Sequence, residues 1–320
     1  YNWSTYVAED TIANFEAACG VTVTYDVYES NEALLSRLRQ GNPGYDIIVP
    51  TDYMVEIMIE EGIVQPIDLS QIPNFAHVTE SLTDTPFDPG NQYSIPYQWG
   101  TVGIGYNRTT VGEDITSWQE MFDYEGNVAW LEDYRVMLNL GLLTLGEEPN
   151  PEDPAQVALA RDQLIANGGN VVAIAADDGQ ALLERGEADI VVEYSGDIFQ
   201  VIDACECDDF AYVIPSEGAN LWTDNLAIPT GAPNPELAQI FMDYILHPQV
   251  SADIANATAY GSPNQTAIDM GLIDEALLNN PGIYPTAEVA ERLYFSQILP
   301  PDVEQAMLDA WDEIKIMLGR

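Results

Sequence analysis

Five short stretches of this chain set an aromatic ring within two or three positions of a carboxylate or hydroxyl. They are Tyr1-Asn2-Trp3-Ser4-Thr5-Tyr6, Pro50-Thr51-Asp52-Tyr53, Glu132-Asp133-Tyr134, Glu193-Tyr194-Ser195-Gly196-Asp197 and Asn220-Leu221-Trp222-Thr223-Asp224. Aromatic faces attract cations, carboxylates anchor ammonium groups, and an alkyl chain lies well between two rings. Convergence of these stretches would build a pocket for an organic polycation. Trp222 and Asp224, two apart on extended backbone, point to one face, so a ring and a carboxylate are aimed together. Binding is the leading function.

Chemistry of other kinds lacks its parts. The two histidines, His77 and His247, lie in polar contexts and do not suggest a nucleophilic triad. Gly103-Ile104-Gly105 is not followed by the third glycine of a dinucleotide loop, and no GxxxxGK phosphate loop occurs. Cys205-Glu206-Cys207 offers two thiols, short of the four ligands of a structural zinc site. That pair either forms a small disulfide or stays reduced, and Cys19 has no evident partner. Two carboxylates could serve a hydrolase, but 53 acidic residues make any such pair uninformative. No catalytic residue, metal or cofactor is expected.

A chain of 320 residues exceeds one ordinary core and points to two domains. Lys and Arg number 9 against 53 Asp and Glu, for a formal net charge of −44, with Lys315 the sole lysine. Charged residues make up only 19%, below the roughly 25% of ordinary soluble domains. The imbalance therefore comes from missing bases. It argues against nucleic acid and anionic lipid as partners, since both need Lys or Arg against phosphate. It suits a cationic ligand, and equally a surface adapted to salty water. No stretch reaches the roughly 18 consecutive apolar residues of a membrane span. The chain opens inside what reads as a strand, and an upstream export signal or tether is an expectation.

The elements that must position these residues alternate between strand and helix. Val21 to Tyr28 alternates as a strand; Ser30 or Asn31 caps a helix running to about Gln40. Asp46 to Pro50 reads as a buried strand, and Tyr53 to Glu61 as a helix. Residues 189–192 and 226–229 read as further buried strands, 235–246 as a helix and 301–318 as an amphipathic terminal helix. Glu148 to Pro154 is a surface loop. This order predicts an α/β fold of mostly parallel sheets, with ligand loops at strand C-termini. The glycine-punctuated run Tyr97 to Gly105 and the run Leu221 to Pro229 are expected crossings between two discontinuous domains.

Several runs together resemble a known family. Tyr1-Asn2-Trp3-Ser4-x-Tyr6, Tyr28-Glu29-Ser30-Asn31-Glu32, Tyr45-Asp46-Ile47-Ile48-Val49-Pro50, Tyr97-x-Trp99-Gly100-Thr101-x-Gly103-Ile104-Gly105-Tyr106-Asn107, Glu217-Gly218-Ala219-x-x-Trp222-x-Asp224 and Asn280-Pro281-Gly282-Ile283-Tyr284-Pro285 are similar, in order, to bacterial spermidine/putrescine-binding proteins. The resemblance implies a two-lobed, periplasmic-binding-protein-like receptor, each lobe a mostly parallel sheet flanked by helices. It implies a ligand cleft between lobes of residues 1–100 with 224–285 and 101–223 with 286–320. A polyamine, putrescine or spermidine, would be captured and delivered to the permease of an ABC importer without chemistry. The receptor would be an extracytoplasmic or periplasmic monomer that does not span the membrane, with a lipid anchor in a segment outside this chain.

Carried over position by position, Trp3 and Trp222 flank the methylene chain, with Tyr194 where the family usually has tryptophan. Asp224 anchors one ammonium; Thr51 and Ser4 make polar contacts; Tyr6, Tyr53 and Tyr284 add walls and hydroxyls. Asp197 matches the putrescine-preferring branch, Asp133 the spermidine-preferring branch, and Gln297 a polar contact near the chain end. From spacing alone, Asp197 would cap a helix starting at Ile198. Thr5 replaces a usual acid, Val136 a glutamate and Ala176 a common serine. Asp52 stands where the family has a small neutral residue, and reads as solvated. These losses keep a receptor for another cationic metabolite as the alternative, ahead of a carboxylate-based hydrolase.

Overall fold

The computed structural model describes residues 1–176, 178–205 and 207–320. The chain forms two compact units: residues 1–100 with 222–280, and residues 101–221 with 281–320. The later crossings expected from the sequence, at 223/224 and 285/286, lie a few residues further on. Glu206 falls outside the described residues; Cys205 and Cys207 are joined by a disulfide, while Cys19 is a free, exposed thiol.

In the first unit, helices Thr11–Cys19, Asn31–Arg39 and Asp52–Glu60 precede a long strand, β1, Ser94–Asn107. Ser30 caps the Asn31–Arg39 helix, its side chain accepting from the Ala33 N–H, as the Ser-Asn pair predicts. Leu34, Leu38, Met54 and Met58 from two of these helices bury their faces in one cluster with Ile48 and Tyr28. Each such side chain contributes roughly 1.5–3 kcal/mol on burial. Residues 46–51 run extended but are held by isolated antiparallel bridges, Ile48 to Ala227 and Thr51 to Asp224. The strand expected at 21–28 is reduced to one parallel bridge, Asn2 to Val27. Alternation sets which side chains face inward, but a ladder also needs a neighbour's backbone. Residues 22–25 instead border a cavity of about 480 Å³ lined by Phe15, Tyr45 and Phe241 among others.

The second unit is organised on a sheet whose parallel core is β3, Val171–Ala175, then β2, Val128–Leu131, then β4, Ile190–Tyr194. The end of β1 runs antiparallel to β4 and to β5, Phe210–Val213. β6, Ala219–Ala227, starts beside the short β7, Leu293–Tyr294. Helix Tyr134–Thr144 is apolar nearly all round and correspondingly buried from Tyr134 to Leu142. It packs on helix Pro154–Asn167, which also receives the terminal helix Pro301–Leu318. Trp118 and Trp311 are buried in this unit.

Candidate functional site

In the first unit the chemistry collects around Asp224 on β6. Its Oδ1 accepts from the Thr51 hydroxyl at 2.7 Å, and that hydroxyl accepts in turn from the Asn31 amide at 2.9 Å. Thr51 occupies the N-cap of helix Asp52–Glu60 without capping it, because its hydroxyl is turned to Asp224. The Asp224 carboxylate is 4% exposed. Its charge reaches three buried phenols: Tyr6, Tyr28 and Tyr97 are pushed well above the usual tyrosine range by burial first, with Asp224 adding to the shift. The Tyr6 phenol is buried beside Asp224, which acts on it both by charge and by hydrogen bonding.

The rings form a connected wall. Tyr6 meets Tyr97 and Tyr260 edge-on, each with centroids 5.3 Å apart, and Trp222 meets Tyr260 at 5.2 Å. Trp222 and Asp224 thus reach the same tyrosine cluster, as their spacing predicts. Trp3 is half-buried, tilted against Tyr28 at 4.6 Å, with its indole N–H given to the Val49 carbonyl at 2.9 Å. Tyr53 is buried and its hydroxyl donates to Glu32. Ser4 is half-buried on the turn beside Trp3. An aromatic wall around a carboxylate with a fixed hydroxyl is equipped to hold an ammonium group and the methylenes next to it.

The second unit carries its candidates at the C-terminal ends of parallel strands. Asp133 follows β2 and caps helix Tyr134–Thr144, accepting from the Val136 N–H at 3.0 Å. Burial raises its carboxyl pKa, against the opposing pull of that N–H and of Arg135. Tyr194 ends β4, opposite Val102 of β1. Helix Ser195–Cys205 begins directly after it, so Asp197 is a first-turn acid; the expected start at Ile198, with Asp197 as the cap, is three residues too late. Asp197 is buried and accepts from Gln200 at 3.4 Å. Anions are favoured at that end of a helix. Tyr284 is half-buried in the turn after Asn280. Gln297 is exposed, and its backbone is what the fold uses: its carbonyl accepts from Arg135 and its N–H donates to Asn150.

Sequence reasoning missed several groups here. Asp52 is buried rather than solvated, and its carboxylate accepts from the N–H groups of Tyr53 and Thr223. Tyr260, Tyr97 and Asn31 complete the Asp224 surroundings; Tyr97 and Asn31 stand in the family-like runs without being assigned to the site, and nothing near Tyr260 in sequence marks it. Glu193 is fully buried, with Oε1 accepting from the Tyr194 N–H at 2.9 Å. Among the described residues no group of three or more His, Cys, Asp or Glu is arranged to hold a metal, and no helix is long and apolar enough to cross a membrane.

Residues 10–282 match the family model described as "Bacterial extracellular solute-binding protein". The chain is 34% identical over 334 residues to the putrescine-binding periplasmic protein SpuD of Pseudomonas aeruginosa, covering 98% of this chain and 90% of that protein. It is 34% identical over 292 residues to the spermidine/putrescine-binding periplasmic protein of Escherichia coli, covering 90% and 83%. Among solved structures it resembles the spermidine/putrescine ABC transporter substrate-binding protein PotD of Streptococcus pneumoniae. That likeness has a TM-score of 0.84 at 31% identity and covers 99% of this chain and 98% of that one. These relatives are named as binding proteins, not as enzymes.

Proposed function

Because the chain belongs to the bacterial extracellular solute-binding protein family, we propose that it captures a polyamine, putrescine or spermidine, outside the cytoplasm and delivers it to an ABC importer. The observation that carries this reading is Asp224, fixed by Thr51 and walled by Tyr6, Tyr260 and Trp222. A carboxylate so placed takes a primary ammonium, and the rings take the alkyl chain. Trp3, Ser4 and Tyr53 extend that half of the site. Asp133, Tyr194, Asp197, Tyr284 and Gln297 are the second unit's candidate ligand contacts. The partner we assign is the importer's permease, met by a monomeric receptor retained by a lipid tether outside these 320 residues.

Calorimetric titration with putrescine and spermidine tests the reading. One-to-one saturable binding of at least one amine is expected. Trp222→Ala should weaken it by about 10- to 100-fold, as loss of a cation–π wall worth ~2 kcal/mol or more implies. Asp224→Ala should weaken it more, because charge-assisted bonds are about twice as strong as neutral ones. Absence of binding by any polyamine, or unchanged affinity in both variants, overturns the proposal.

A further inference from the structure

Asp52 lies between Thr51 and Tyr53 and is only 3% exposed. Its Oδ1 accepts from the Tyr53 N–H at 2.7 Å, and its Oδ2 from the Thr223 N–H at 3.0 Å. That second bond ties it to the residue between Trp222 and Asp224. Both donors are neutral, and no ion pair of Asp52 with Lys, Arg or His occurs among the described residues. The charged groups on the elements around it are acidic as well: Glu56 along its own helix, Asp224 across the Thr51 bridge, and Glu32 at the Tyr53 hydroxyl. The Tyr6 phenol beside Asp224 is buried as well. The region is short of positive charge.

We propose that Asp52 is a second carboxylate of the amine site, which gives up its proton when the ligand's ammonium arrives, so that affinity depends on pH. The inference rests on the polyamine reading above. Burial of an ionised carboxylate without a cation is costly, so the ligand-free site favours the acid form. Burial accordingly raises the Asp52 pKa to about 7, with two N–H bonds opposing the shift and Glu56 adding to it. An ammonium nearby supplies the missing charge and favours the carboxylate. The step is a simple exchange: the acid becomes a carboxylate paired with the bound ammonium, and one proton passes to the buffer.

Linkage fixes the sign. Ligand lowers the Asp52 pKa, so a higher pH strengthens binding through the window below 7, and the gain levels off above it. Affinity for putrescine should rise about tenfold from pH 6 to pH 8. Calorimetry at pH 7 in two buffers of different ionisation enthalpy should register release of about half a proton per ligand. Asp52→Asn should bind more weakly than the unaltered protein, by at least about tenfold at pH 8, with an affinity flat in pH and no proton released. Asp52→Thr provides the same comparison if the amide variant does not fold. Binding that is flat with pH, or a slope that persists in the variants, overturns the Asp52 role while leaving the polyamine reading intact. No saturable binding at any pH overturns both.

Discussion

Thr5 has φ of +46°, a left-handed backbone that a β-branched side chain seldom adopts. The corner falls between Ser4 and the buried Tyr6, and Thr5 itself is exposed, so local strain is the cost of turning Tyr6 inward. Asparagine tolerates this region far better. Thr5→Asn should therefore raise unfolding stability by about 1 kcal/mol, seen as a higher urea midpoint at unchanged slope. A lower midpoint would mean that the threonine side chain contributes more than its strain costs. Other single residues were legible for a plain reason. Trp222 and Asp224 share a face by spacing alone, whereas the burial of Asp52 depends on Thr223, 171 positions away. No local pattern encodes a contact at that range.

At the scale of elements, the terminal helix Pro301–Leu318 was readable because its apolar stripe repeats at helical period, and it ends in a left-handed Gly319. What docks it was not readable. Arg135, 3% exposed, donates to Glu304 at 2.5 Å and to the Gln297 carbonyl at 3.0 Å, while the Tyr134 hydroxyl also donates to Glu304. Helix Tyr134–Thr144 and the terminal helix are thus joined by a largely buried ion pair. Removing one partner strands the other: Glu304→Ala should cost about 3 kcal/mol, and Arg135→Met markedly less, since it leaves no buried cation behind. Denaturant midpoints of the two variants test this order. The reverse order would place the stability in the arginine's packing instead. The strand expected at 21–28 fails for the complementary reason. Its alternation is present, but pairing is a property of two segments, and one parallel bridge at Val27 is what this fold supplies.

Across the whole molecule, 9 bases face 53 acids, and most of the bases are already engaged. Arg39, Arg108, Arg135, Arg161, Arg185 and Lys315 each pair with a neighbouring carboxylate. The net charge of −44 leaves a strongly negative field, and under the proposed function it would act on a polyamine before contact is made. Such a field raises association rates, by about 10- to 1,000-fold in steered systems, and loses its reach in salt. The contacts at Asp224 and the tyrosine wall are buried and are screened far less. Stopped-flow binding of putrescine at 0.05 M and 2 M NaCl separates the two influences. The association rate should fall by at least about tenfold, while the dissociation rate stays within a factor of about two, because the Debye length has shrunk to roughly 2 Å but the buried partners have not moved. A dissociation rate that climbs in step with salt would instead assign ligand retention to the −44 surface charge, and would demote the Asp224 site.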